Sequence, residues 1–257
     1  MERDDYLRAI GQESARAADA ARLGLDPPVP CCPGWTAGDL LQHLGEVYEF
    51  VTAVVENRAQ DEEQDVAPLD KQEQLKRQER GAWFARSPDL PSWFEDTAGR
   101  LIRVLGNTDP DESVWTWWRP EQRAAFWQRR MAHESAVHRW DLQSAHGEPD
   151  PIGRELALDG VDEALTVHAP ERRSECETEA AGETYLFEPT DGDTGWFVRL
   201  GRDRLEIRRG HHPADVVATG TASDLLLFLW QRLPVERLEV TGDAALLGRW
   251  FELVPPD

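Results

Sequence analysis

The chain has 257 residues, of which 40% are hydrophobic and 11 are Trp; that is enough apolar material for one large domain or two small ones, and it excludes a disordered chain. Its 28 Lys and Arg stand against 49 Asp and Glu, a net charge of −21, so its surface repels nucleic-acid phosphates and anionic lipid headgroups. The acidic start Met1 to Tyr6 has no apolar signal core, no stretch reaches the ~18 apolar residues of a membrane span, and three cysteines cannot build a disulfide framework; the expectation is a cytoplasmic protein.

In chain order, residues 4–24 carry Tyr6, Ile10, Ala17, Ala18 and Ala21 at helical spacing before Gly24 and the Pro27-Pro28 pair, which predicts a first helix. A second starts at Thr36, a side chain suited to N-capping, and carries Leu40, Leu41, Leu44, Val47, Tyr48, Val51, Val54 and Val55. Residues 56–80 are almost wholly polar and are expected to form a mobile connection, with room for a charged helical stretch. A third helix is predicted from about Pro91 through Leu105, and a fourth from near Pro120, a good first-turn residue, to Gly147.

Beyond Pro149-Asp150-Pro151 the texture changes. β-like runs occur at Thr184–Phe187, Trp196–Leu200, Leu205–Arg208, Val216–Thr219 and Leu238–Thr241, with helices near Arg154–His168, Ser223–Gln231 and Ala244–Leu253. The expected architecture is α+β: a four-helix bundle over residues 1–150 and a smaller α+β domain over residues 151–257.

The fourth helix contains His133 and His138, whose five-residue separation turns them about 140° apart and excludes the zinc-protease pattern. Instead, Trp127, Met131, Glu134, His138, Asp141 and Ala145 form one stripe, and three ionisable groups interrupt what should be an apolar seam. Burying them unpaired costs several kcal/mol. Two arrangements would offset that cost: a divalent metal held by Glu134 and His138, or ordinary helix pairs of Glu134 with Arg130 and His138 with Asp141.

His43 interrupts the apolar face of the second helix in the same way. With Glu134 and His138 it would complete the two-imidazole, one-carboxylate ligand set of zinc sites that keep a position open. Asp39 and Asp141 each lie one turn from an imidazole and are placed to hydrogen-bond it.

Two separated motifs make the sequence familiar. Cys32-Pro33-Gly34-Trp35-Thr36-Ala37-Gly38-Asp39-Leu40-Leu41-Gln42-His43-Leu44-Gly45, joined to Arg130-Met131-Ala132-His133-Glu134-Ser135-Ala136-Val137-His138-Arg139-Trp140-Asp141, resembles the mycothiol-dependent maleylpyruvate isomerase family. That family belongs to the DinB-like group of metal-binding four-helix bundles. The resemblance implies a metal, normally zinc, on His43, Glu134 and His138, mycothiol as thiol cosubstrate, and a sterol-carrier-protein-like C-terminal domain. It also implies an Arg from that domain near the site. Phe228-Leu229-Trp230-Gln231-Arg232-Leu233-Pro234 resembles the family's Trp-x-Arg segment, which makes Arg232 the catalytic candidate; capping the carbonyls at the end of a short helix is an equally open role for it.

On this reading a zinc-bound external thiolate attacks a small electrophilic substrate, and no protein cysteine is required as nucleophile. Cys31 and Cys32 sit in a Pro-rich loop, and Cys176 lies between two glutamates whose charge opposes thiolate formation. The adduct either collapses to an isomer or persists as a conjugate, so isomerase and S-transferase stay open. The rival from another class is a non-catalytic metal- and hydrophobic-ligand-binding protein, although structural zinc is normally closed by four ligands and three are visible here. The Trp115-Thr116-Trp117-Trp118 cluster reads as an apolar wall over the metal or as packing at the bundle end, and His211-His212 as a surface turn.

Overall fold

The computed structural model describes residues 1–61, 84–202 and 204–255. The chain divides into two compact units, Met1–Asp150 and Pro151–Asp257.

In the first unit four long helices, α1 (Arg3–Arg22), α2 (Ala37–Glu56), α3 (Leu90–Asn107) and α4 (Ala124–Ser144), all touch one another. The small buried residues Ala9, Ala17, Ala18 and Ala21 line α1, which packs on α4. Thr36 caps α2 through a reciprocal box: its Oγ1 accepts from the Asp39 N–H at 3.2 Å, and Asp39 Oδ2 accepts from the Thr36 N–H at 2.9 Å.

Two glycines let other segments close on α2. A Cβ on Gly38 would lie 1.7 Å from the Ala85 carbonyl oxygen, and one on Gly45 would lie 2.4 Å from the Trp93 ring of α3. A buried hydroxyl chain then fixes α2 against its neighbours, since Tyr48 Oη lies 2.9 Å from Ser14 Oγ on α1 and 2.6 Å from Ser135 Oγ on α4. Burial holds the Tyr48 hydroxyl well above its ordinary pKa, so it stays a neutral hydrogen-bonding group.

Helix α4 begins at Ala124, four residues after Pro120. The intervening turn is tied by side chains: Gln122 Nε2 donates to the Thr116 and Trp118 carbonyls, and Thr116 Oγ1 donates to the Glu121 carbonyl at 2.7 Å. That network holds the chain out of helical geometry until Arg123. The tryptophan cluster packs at this end of the bundle, with Trp115 against Phe50 and Trp127, both at 6.2 Å between ring centres, and Trp117 against Phe126 at 5.1 Å. The predicted connection over residues 56–80 lies largely outside the described residues; α2 ends at Glu56.

In the second unit α5 (Arg154–Glu163) runs on through a π-helical turn (Ala164–His168) into α6 (Ala169–Glu175), seven residues past the predicted end. The wide turn falls just before Pro170, which lacks an N–H and whose ring would crowd the carbonyl four residues back in a regular helix. A five-stranded sheet follows: β1 (Thr184–Pro189), β2 (Trp196–Leu200), β3 (Leu205–Arg209), β4 (Val216–Gly220) and β5 (Glu239–Gly242) in the order β3-β2-β1-β4-β5. Only β1 and β4 run parallel, with Tyr185 opposite Val216 and Phe187 opposite Ala218.

Helix α7 (Ala222–Leu229) packs on β1 and β4 as well as on α5, and α8 (Ala245–Leu253) sends Trp250 against Tyr185 and Phe187, each at 5.2 Å. The edge strands differ from this core. β3 has no fully buried residue and carries Glu206, Arg208 and Arg209, while β5 is four residues long with Glu239 and Thr241 outward. Among the described residues no helix is long and apolar enough to cross a membrane.

Candidate metal centre

The α2 register set by Gly45 and Tyr48 brings His43 opposite α4. Its ring centre lies 5.8 Å from that of His138, nearly perpendicular to it. Glu134, one turn before His138 on the same face, directs Oε1 at His138 Nε2, 3.1 Å away. Donor atoms of His43, Glu134 and His138 all lie within 4.8 Å of one another, and this is the group of three or more His, Cys, Asp or Glu so gathered among the described residues. Ligand atoms around a tetrahedral zinc at about 2.1 Å stand about 3.4 Å apart, so small side-chain rotations close this set around one ion.

Both helix pairs offered by the spacing are formed. Arg130 Nη2 is 2.8 Å from Glu134 Oε2, and His138 Nδ1 is 3.1 Å from Asp141 Oδ2. The pairs coexist with the gathering of the three donors. Arg130 takes one Glu134 oxygen and leaves the other facing the imidazoles; fully buried Asp141 takes the Nδ1 proton and turns His138 Nε2 inward.

Charge follows geometry. Burial pushes the Glu134 carboxyl up, but His138 and Arg130 outweigh it and hold the group well below the usual carboxylate range. Burial pushes His138 down, yet Glu134 and Asp141 more than offset this and carry it up to about 9. The pocket is thus built to hold one positive charge against its carboxylates, which a proton supplies when nothing else does.

Asp39 is engaged by the α2 cap through Oδ2, which also accepts from Thr36 Oγ1 at 2.6 Å. Arg232, in the second unit, donates from Nη1 to the Trp230 carbonyl at 2.8 Å, at the end of α7; there Gln231 turns the chain with φ +55°. This is the helix-end contact open to it from the sequence. Cys31, Cys32 and Cys176 form no disulfide, and Cys176 Sγ donates to the Glu252 carbonyl. His211 sits on the surface as expected, but the fold brings Glu188 against its Nδ1, a pairing across 23 residues that local spacing cannot reveal.

Sequence reasoning overlooked Gln42 and Glu46, which flank His43 in a groove also lined by Gly34, Trp35 and Asp39. The signal was available. Asp39, Gln42, His43 and Glu46 fall at i, i+3, i+4 and i+7, a polar stripe on a largely apolar helix.

These features define a class: a helical unit with a His, Glu, His donor set between two helices, followed in the chain by a mixed α+β unit. The family model described as the mycothiol maleylpyruvate isomerase N-terminal domain matches residues 7–143, and the one described as the MDMPI C-terminal domain matches residues 155–249. The chain belongs to the mycothiol maleylpyruvate isomerase family. Two solved structures share its fold: a mutant of the mycothiol-dependent maleylpyruvate isomerase, at 15% identity and TM-score 0.65, and the unmutated isomerase, at 13% and 0.62. Each alignment covers 94% of this chain and 93% of the other. No curated protein matches the sequence.

Proposed function

We propose that this chain is a metal-dependent, mycothiol-dependent isomerase of a small unsaturated acid, with zinc or another divalent ion held by His43, Glu134 and His138. The observation that carries the reading is the convergence of those three donors within 4.8 Å in a chain of this family. A divalent ion bound there would act as a Lewis acid that stabilises a thiol as its conjugate base at neutral pH.

The chain's own residues do the rest. Two imidazoles and one carboxylate, with Arg130 and Asp141 behind them, would hold the ion through nitrogen and oxygen and supply no sulfur themselves. In the reaction class, the thiol sulfur bonds to an alkene carbon of the substrate, the former double bond rotates as a single bond, and loss of the same thiol restores the alkene as its geometric isomer. Arg232 is suited to pair with a substrate carboxylate, being a half-buried guanidinium anchored by the Trp230 carbonyl. We place the activity in the cytoplasm, which suits an acidic chain whose cysteines are unbridged.

The test is to incubate metal-loaded protein with mycothiol and maleylpyruvate and follow the substrate by NMR and mass spectrometry. An isomer of unchanged mass, formed only with both metal and thiol, supports the proposal. A product heavier by one thiol marks an S-transferase, and an unchanged substrate with metal and thiol present refutes an enzyme of either kind for this acid.

A further inference from the structure

The wide turn between α5 and α6 brings together two groups that a regular helix would keep apart. The Ala169 N–H donates to the Ala164 carbonyl five residues back, and the turn so closed carries His168 Nε2 to 3.8 Å from Glu163 Oε2, an ion-pair distance. Residues five apart in an α-helix point about 140° from each other, so the pair exists because of the π-turn. We infer that Glu163, His168 and Gln231 are positioning residues: through Trp230 they fix the Arg232 guanidinium in the orientation in which it receives a substrate carboxylate. The inference rests on the role given to Arg232 above and adds the residues that prepare it.

The pair is the first observation. The Glu163 side chain is only 2% exposed, a burial that a carboxylate tolerates when it has polar company, and His168 supplies some of it. The His168 ring in turn meets the Trp230 indole edge-on, 4.8 Å between ring centres. A small pocket adjoins both rings, bordered by Ala164, Leu229 and Trp250, so shortening His168 gives the indole space to turn.

The end of α7 is the second. Trp230 closes the helix, the Gln231 N–H donates to the Phe228 carbonyl at 2.8 Å, and the Arg232 N–H donates to the Leu227 carbonyl at 2.7 Å. In this pattern of helix ending the left-handed residue is usually Gly, and the one after it is commonly apolar and folded back on the helix. Here those places hold Gln231, at φ +55°, and Arg232. A left-handed residue with a side chain is strained, and such strain persists where the surrounding structure imposes it, often at functional sites.

The two observations meet at one carbonyl. Arg232 Nη1 donates to the Trp230 oxygen at 2.8 Å, so whatever turns Trp230 moves the acceptor that orients Arg232. A guanidinium anchored through one nitrogen presents its plane in a set direction and loses less freedom on meeting a carboxylate. In a chain of net charge −21 the general field repels an acidic ligand, which makes the aim of a single cation matter more.

The test reads Arg232 directly, by nitrogen-relaxation NMR of its Nε–H in metal-free full-length protein. Arg232→Lys identifies the signal, and buried Arg173, held by the Thr178 and Arg202 carbonyls, serves as internal control. We expect an order parameter of about 0.8 in wild type and below about 0.6 in His168→Ala and Gln231→Gly, with Arg173 unchanged. In the metal-loaded enzyme both variants should raise KM for maleylpyruvate about tenfold while KM for mycothiol and metal content hold, and Glu163→Gln should move the same quantities less. An Arg232 already mobile in wild type, an order parameter that ignores both variants, a loosening shared by Arg173, or an unchanged KM for maleylpyruvate despite a loosened Arg232 overturns the inference. Because the relaxation measurement needs neither metal nor turnover, an inactive isomerase in which His168→Ala loosens Arg232 alone defeats the proposed function and keeps the buttress. An active one whose Arg232 ignores both variants defeats the buttress alone.

Discussion

Adding zinc to the metal-free protein at pH 8 should drive a proton off His138. Glu134 and Asp141 carry this imidazole to about 9 against the ordinary 6.5. At pH 8 it is therefore ~90% protonated, whereas an unperturbed imidazole is only ~3% protonated. A ligand nitrogen must be bare, so each bound ion should release about 0.9 proton, and apparent affinity should rise about tenfold per pH unit up to roughly pH 9 and then level off. The assay is calorimetric titration with zinc in buffers of different ionisation enthalpy, where the slope of heat against that enthalpy counts protons. Asp141→Asn should reduce the release, since one of the two carboxylates that hold the proton is gone. Stability follows the same sign: the folded-state value exceeds the unfolded one, so this contribution to the metal-free fold is complete below about pH 6.5 and lost as pH rises through about 9. A slope near zero at pH 8 would refute both His138 as a ligand and the cause assigned to its protonation.

Three other outcomes are expected. Gly45→Ala puts a Cβ 2.4 Å from the Trp93 ring and should cost about 1–3 kcal/mol in urea unfolding, whereas Gly99→Ala on α3 meets nothing and should stabilise by up to about 1 kcal/mol. Arg139, fully buried, donates to Glu13 and to the Asp150 carbonyl; Arg139→Met should cost about 3–5 kcal/mol, and adding Glu13→Leu should recover much of it, as chemical denaturation will show. Replacing Cys31, Cys32 and Cys176 together by Ser should leave turnover within about tenfold, a barrier change of ~1.4 kcal/mol, while a folded, metal-loaded but inactive triple variant would return the nucleophile to the protein.

What could be read in the sequence was local. The Thr36 cap, the apolar faces of α1 to α3 and the strand runs are written in short spacings, and all five strands lie within a residue or two of where alternation puts them. The Glu134 and His138 pair was legible because four residues make about one helical turn. Its partner His43 comes from another helix, and tertiary contacts, among them Gly45 against Trp93 and the hydroxyl chain through Tyr48, decide that it faces them. The late start of α4 depends on Gln122 and Thr116 capturing carbonyls, and the π-turn before Pro170 on how a long helix absorbs a missing donor. Such choices between competing hydrogen bonds leave little trace in hydrophobic pattern.

The edges of the sheet have a consequence for assembly. An unpaired strand is a ready template onto which another chain can add, and the central strands here are apolar enough to make such growth costly to the cell. On one side β3 meets an incoming strand with Glu206 and Arg208 held to each other and with Arg209 lying over the Trp196 ring at 4.5 Å. On the other, β5 ends after four residues at Gly242, whose φ of +88° bends the backbone out of register. Charge on one border and brevity on the other mean that the sheet stops at five strands, and that the unfolding of this unit, more than its native surface, is where aggregation would begin.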